Sequence, residues 1–176
     1  MTSDATWLRA HLREVLDFPP AGISFKDITP LLASVDAFRF TVDAIADAWT
    51  GASIDRVAGI EARGFLLAAP VAYRLGAALV PIRKPGKLPW EVVEQPYELE
   101  YGVDAVQAHR DAVAAGDRVL LVDDVLATGG TAGAACALIE GLGATIAGVH
   151  VLLELGFLDG RARLGKRDVR SLLVEA

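Results

Sequence analysis

The chain has 176 residues, of which 53% are hydrophobic and 23% charged, with a net charge of −6 at pH 7. That length suits one catalytic domain burying roughly two-thirds of its unfolded surface, and the acidic balance without a long Lys/Arg run argues against nucleic acid as a partner. The longest apolar stretch, Gly64 to Tyr73, is far short of the ~20 residues of a membrane helix. The mixed-charge segment MTSDATWLRAHLREVLDF lacks the apolar core of a secretory signal. No membrane partner is expected, and the default location is cytoplasmic.

Trp7, Leu8, Leu12, Val15 and Leu16 recur at helical spacing, which predicts an amphipathic helix over 4–17 ended by Pro19 and Pro20. A loop, FPPAGISFKDITPLL, follows. Asp36 then reads as the cap of a second helix with Phe38, Val42, Ile45, Ala46 and Trp49 on one face. Beyond it, short β-branched runs at 56–60, 79–83, 118–123 and 145–153 alternate with Ala/Leu-rich stretches at 64–75 and 131–142. Gly76 and Gly143 stand just past those two stretches, where a left-handed cap is favoured. The alternation predicts an α/β fold, a mostly parallel sheet flanked by helices. Residues 84–102, KPGKLPWEVVEQPYELEYG, show no clear period and read as a long, flexible functional loop. The lone Cys136, in an apolar run, reads as a buried thiol.

The chemistry concentrates in VLLVDDVLATGGTA, 119–132. An apolar strand runs into two carboxylates, Asp123 and Asp124, then into a small-residue turn that opens a helix. In open α/β sheets ligands bind at the carboxyl ends of strands, where these acids would sit. The turn Ala127–Thr131 presents free N–H groups at the positive end of a helix dipole, so it suits a monophosphate. Gly129 and Gly130 allow close backbone approach, and Thr128 and Thr131 add hydroxyl donors. Two acids beside a phosphate site are explained by vicinal hydroxyls, because a carboxylate accepts hydrogen bonds from the 2′- and 3′-OH of a ribose. The segment has neither the Gly-Lys-Ser/Thr of a Walker A loop nor GxGxxG.

VLLVDDVLATGGTA resembles the signature that binds phosphoribosyl pyrophosphate (PRPP) in type I phosphoribosyltransferases. FPPAGISFKDITPLL, GIEARGF (59–65), IRKPGKLP (82–89) and YELEYG (97–102) resemble the adenine phosphoribosyltransferases in content and order, over most of 18–160. The resemblance implies one domain with the type I phosphoribosyltransferase fold, a small N-terminal base-binding hood (1–35) and a flexible catalytic loop (84–102). It implies transfer of phosphoribose from PRPP to adenine, giving AMP and pyrophosphate in purine salvage, with Mg2+ held mainly by PRPP and water. A homodimer is implied too. Alternatives on the same fold are a 6-oxopurine phosphoribosyltransferase and a PRPP- or purine-sensing regulator.

By the same resemblance, Glu61, Ala62 and Arg63, with a cis peptide between the first two, and Arg83, Lys84 and Lys87 serve pyrophosphate. Arg83 would reach toward a neighbouring subunit. Ser24, Phe25, Lys26, Val125, Ala127 and Leu155 correspond to the adenine pocket, with Ala21 and Ser24 departing from the family's usual proline and aliphatic residue. Glu100 corresponds to the loop glutamate that manages the purine proton, and Tyr101 to a residue that closes over the centre. Arg63 would also stabilise charge on the leaving group.

Overall fold

The computed structural model describes residues 4–19, 21–22, 24–98 and 102–176. A 3-10 helix, Thr6–His11, leads into β1 (Arg13–Leu16), β2 (Ser24–Asp27), α1 (Thr29–Ala33) and α2 (Val35–Ala48). Then come β3 (Arg56–Ile60), α3 (Arg63–Leu75), β4 (Ala78–Ile82), β5 (Val92–Glu98) and β6 (Val103–His109). The chain closes with β7 (Arg118–Leu126), α4 (Gly130–Gly141), β8 (Thr145–Leu155), a short 3-10 turn, α5 (Gly160–Leu164) and β9 (Val169–Glu175).

Five parallel strands form the central sheet in the order β4-β3-β7-β8-β9. Side chains alternate across it, as the two-residue period of a strand requires. Val57, Leu120 and Val122 pack with α2 and α3 on one face, whereas Ala58, Ile60, Val119 and Leu121 pack with α4 on the other. β5 and β6 pair antiparallel as an arm, whose Val106 and Ala108 join the α4 core. An Arg83–Gln107 bridge fastens the arm to the end of β4. Cys136 is fully buried in that core, and burial pushes its thiol up to about 12. No helix among the described residues is long and apolar enough to cross a membrane.

Three sequence expectations change. The predicted helix over 4–17 is a 3-10 helix followed by β1, because Arg13–Leu16 pairs with Ser24–Asp27 and this pairing overrides the local period. Only Leu8 of its apolar set is fully buried, and Leu16 is 70% exposed. Ser34, not Asp36, caps α2 by accepting from the Ala37 N–H, and Asp36 lies in the first turn, where its charge suits the dipole. Finally, 84–102 is not a featureless loop, since 92–98 forms β5, and β9 is a strand that apolar spacing did not single out.

Candidate active site

α3 and α4 leave the adjacent strands β3 and β7 onto opposite faces of the sheet. The crevice at that point is where open α/β sheets bind ligands. Contact between its walls is close. A Cβ on Gly64, in the first turn of α3, would stand 2.6 Å from Asp123 Oδ1, so glycine is required for α3 to approach the acid pair.

Asp124 is buried, and Arg63 Nε lies 2.8 Å from its Oδ2. The approach pairs the charges but is not aligned for a hydrogen bond. Arg63 Nη1 and Asp124 Oδ2 therefore have no hydrogen-bond partner among the described residues. Buried polar atoms without partners are scarce in folded proteins, and here two of them belong to one ion pair in a ligand crevice. Asp123 Oδ1 accepts the Asp124 N–H at 2.9 Å. Burial pushes the Asp123 carboxyl well above the usual carboxylate range, and the charge of Asp124 adds to the shift. Burial raises Asp124 as well, against the pull of Arg63. Hydroxyl donors from a ligand would complete the lone pairs and favour the charged forms.

β7 continues into the turn that caps α4. Gly129 adopts φ 79°, in the left-handed region, and no side chain caps the helix. The first-turn N–H groups of a helix lack intrahelical acceptors, so an anion can take them. Thr128 is exposed, and Thr131 Oγ1 is hydrogen-bonded to the Tyr97 hydroxyl at 3.1 Å. A Cβ on Gly129 would collide with the Gly160 carbonyl, and one on Gly160 with that of Ala127, so α5 is seated directly against the turn.

The expected cations gather on the opposite wall, each already paired with a carboxylate. Arg83 Nε donates to Glu61 at 2.7 Å and Lys87 Nζ at 2.9 Å. Burial alone would raise Glu61, but Lys87 and Arg83 outweigh it and hold the carboxyl low. The Glu61–Ala62 peptide is cis. Lys84 is ion-paired with Asp104 and donates to the Tyr97 hydroxyl at 2.6 Å. Burial pulls Lys84 down, yet those two bonds prevail and its ammonium is held above the usual value.

Toward the N-terminal segment, the Arg63 guanidinium sits 4.4 Å from the centre of the Phe25 ring, which joins Phe25 to the acid pair through one side chain. Val125, Ala127 and Leu155 share one core cluster behind the acids. Ser24 and Lys26 are engaged elsewhere. Both donate to Glu14, at 2.5 and 3.0 Å, and Lys26 also reaches Glu175 at 2.8 Å. Glu100 and Tyr101 lie outside the described residues.

Sequence reasoning did not single out Tyr97, Asp104, Gly160 or Arg161. Arg161 grips the buried Glu154 with two hydrogen bonds of 2.6 and 2.7 Å and so ties α5 to β8. The GRAR segment offered a signal only as a glycine followed by two basic residues.

A profile of the phosphoribosyl transferase domain matches residues 24–171. The chain belongs to the phosphoribosyltransferase family. Within it, the chain is 55% identical to an adenine phosphoribosyltransferase of Anaeromyxobacter dehalogenans, over 94% of this chain and 96% of that protein. The crystal structure of adenine phosphoribosyltransferase from Thermoanaerobacter pseudethanolicus superimposes with a TM-score of 0.95 at 49% identity, covering 97% and 99% of the two chains. The Saccharomyces cerevisiae enzyme, solved with an imino-altritol bisphosphate and adenine, gives a TM-score of 0.91 at 39% identity over 98% of this chain and 100% of its own. The five-stranded parallel sheet of this phosphoribosyltransferase thus carries its acid pair and glycine turn on the family's fold.

Proposed function

We propose that the protein transfers the 5-phosphoribosyl group of PRPP to adenine, releasing pyrophosphate and forming AMP. The observation that carries this reading is the junction of β7 and α4, where two adjacent acids, the half-buried Asp123 and the buried Asp124, lead directly into an uncapped helix turn. Similarity to adenine phosphoribosyltransferases at 55% identity supports the choice of base.

In this reading, the N–H groups of 127–131 and the Thr128 and Thr131 hydroxyls hold the 5′-phosphate. Asp123 and Asp124 accept from the ribose hydroxyls and stabilise positive charge as the anomeric carbon becomes oxocarbenium-like. Arg63, Lys84 and Lys87 face the leaving pyrophosphate, with Arg83 and the cis-linked Glu61–Ala62 loop shaping that subsite. Phe25, Val125, Ala127 and Leu155 line the base, with Ser24 and Lys26 bracing the hood beside it. Glu100 manages the purine proton, worth about 10²–10⁴-fold in rate, and Tyr101 covers the centre.

Mg2+ keeps several waters and takes substrate phosphates as ligands, so a diphosphate beside the oxygens of Asp123 and Asp124 fits it without a protein cage. When bound, it supplies charge neutralisation at the leaving group. The enzyme is proposed to act in the cytoplasm as a homodimer. Leu66 and Tyr73, 47% and 88% exposed and seven residues apart on α3, and Leu79, 43% exposed on the edge strand β4, support such an interface.

The test is to incubate the protein with PRPP, Mg2+ and each natural purine and to identify the nucleotide formed. AMP is expected, with hypoxanthine and guanine at least ~10⁴-fold slower in kcat/KM, because a 6-oxo group would leave buried partners unpaired. Comparable rates with hypoxanthine would assign the protein to the 6-oxopurine class.

A further inference from the structure

Arg163 stands beside the phosphate turn, on a helix held in place from three sides. Gly160 is pressed against Ala127 and Gly129 so closely that neither glycine has room for a Cβ. Arg161 clamps Glu154 and also donates to the Val169 carbonyl at 2.6 Å, while Leu164 is fully buried. Between these anchors Arg163 is exposed, yet its Nη1 lies 3.2 Å from the place a Cβ of Gly130 would occupy. Tyr97 Cδ2 approaches the same point from the arm, at 3.3 Å.

Charge makes this placement informative. Gly130 is the first residue of α4, whose N-terminus carries the positive end of the dipole and whose first turn holds no acid. A guanidinium at that end meets a like charge. The other cations around the crevice, Arg63, Arg83, Lys84, Lys87 and Arg161, are each paired with a carboxylate. Among the described residues no acid forms such a pair with Arg163. An anion between the α4 N–H groups and Arg163 satisfies both positive partners at once, and a guanidinium offers a phosphate two donors in a fixed fork.

We propose that Arg163 is a direct ligand of the 5′-phosphate, closing from α5 the cradle that the 127–131 turn builds from backbone. The inference rests on the assignment of that turn to the donor phosphate. Because the Gly129–Gly160 contact seats α5 on the turn, Arg163 is delivered to the anion by the fold instead of by a moving loop.

Calorimetric titration of ribose 5-phosphate into the full-length protein tests this, using wild type, Arg163→Met, Arg163→Lys and Thr128→Val. Arg163→Met is expected to weaken binding about 10-fold, as loss of a charged hydrogen bond does, and Arg163→Lys, which keeps the charge but loses the fork, to fall between it and wild type. The salt dependence of the affinity should flatten in Arg163→Met, because one charge has left the site. In turnover, the KM for PRPP should rise by a similar factor with kcat nearly unchanged, since phosphate binding is common to ground and transition states. Equal melting temperatures for wild type and Arg163→Met establish that folding is intact. Unchanged binding in Arg163→Met with weakened binding in Thr128→Val would overturn the inference and leave the turn assignment standing. Unchanged binding in both would overturn both. A lysine variant as poor as the methionine one would also overturn it, since packing and not charge would then be responsible.

Discussion

The two walls of the crevice are built on opposite principles. The β7–α4 wall is rigid and electrostatically incomplete: Asp124 is buried, the turn is fixed by glycines pressed against α5, and among the described residues Asp124 Oδ2 and Arg63 Nη1 have no hydrogen-bond partner. The wall formed by the end of β4 and the arm is complete in itself, since Arg83 and Lys87 share Glu61 and Lys84 is held by Asp104 and Tyr97. A ligand on the first wall adds bonds that are missing. On the second it must exchange for bonds already made. The ribose phosphate should therefore be recognised mainly by preorganised groups, and pyrophosphate by cations that change partners.

The largest effect should come from the incomplete wall. Replacing both acids, Asp123→Asn with Asp124→Asn, should lower kcat/KM by about 10³-fold or more, at roughly 1.5–3 kcal/mol for each charged hydrogen bond to ribose. Wild-type kinetics in the folded double variant would remove the ribose role. Next comes Glu100→Ala, expected to reduce kcat about 10²-fold with little change in the KM for PRPP, because proton transfer matters only in the transition state. Full kcat would show that Glu100 contributes no proton chemistry.

A smaller effect concerns stability. The Asp123 carboxyl is raised above its ordinary value of 3.8, so the folded protein binds its proton more tightly than the unfolded chain does. Stability is then lost as pH rises from that ordinary value through the elevated native one. Asp123→Asn should melt roughly 2–4 °C higher at pH 7, with the advantage shrinking toward acid. A lower melting temperature at pH 7 would mean that the acid is not strained by burial. Smallest is Asp104→Asn, which releases Lys84 from a half-exposed pair and should tighten pyrophosphate by about two- to fivefold. Weaker pyrophosphate binding would show that Asp104 orients Lys84 instead of competing for it.

The rigid wall was also the more legible one. Strands 56–60 and 118–123, the helix at 64–75 and the acids and glycines between them follow from local pattern, because β-branched runs, glycine caps and strand-end acids are short-range signals. The arm was not legible. In β5 the partly buried side carries Val93, Gln95 and Tyr97, so a polar residue breaks the alternation that would mark a strand, and Pro96 demotes it further. The N-terminal strand β1 failed for a related reason, since its partner is supplied by a segment eight residues beyond its end and its apolar spacing imitates a helix. Gly64 and Gly160 carry no local signal, because what they make room for, the Asp123 carboxylate and the Ala127 carbonyl, comes from distant parts of the chain. The polar links, Lys84 to Asp104 and Arg161 to Glu154, join residues that share no element, 20 and 7 positions apart, and carry no periodic signal.

The contrast between the walls is tested most directly by measuring ribose 5-phosphate and pyrophosphate binding separately, by calorimetry, in two folded variants. One is Asp123→Asn with Asp124→Asn; the other is Lys84→Met with Lys87→Met. The account predicts that the acid variant loses ribose 5-phosphate affinity by about 10²-fold and keeps most of its pyrophosphate affinity, and that the lysine variant does the reverse. Equal losses of both ligands in both variants would contradict it.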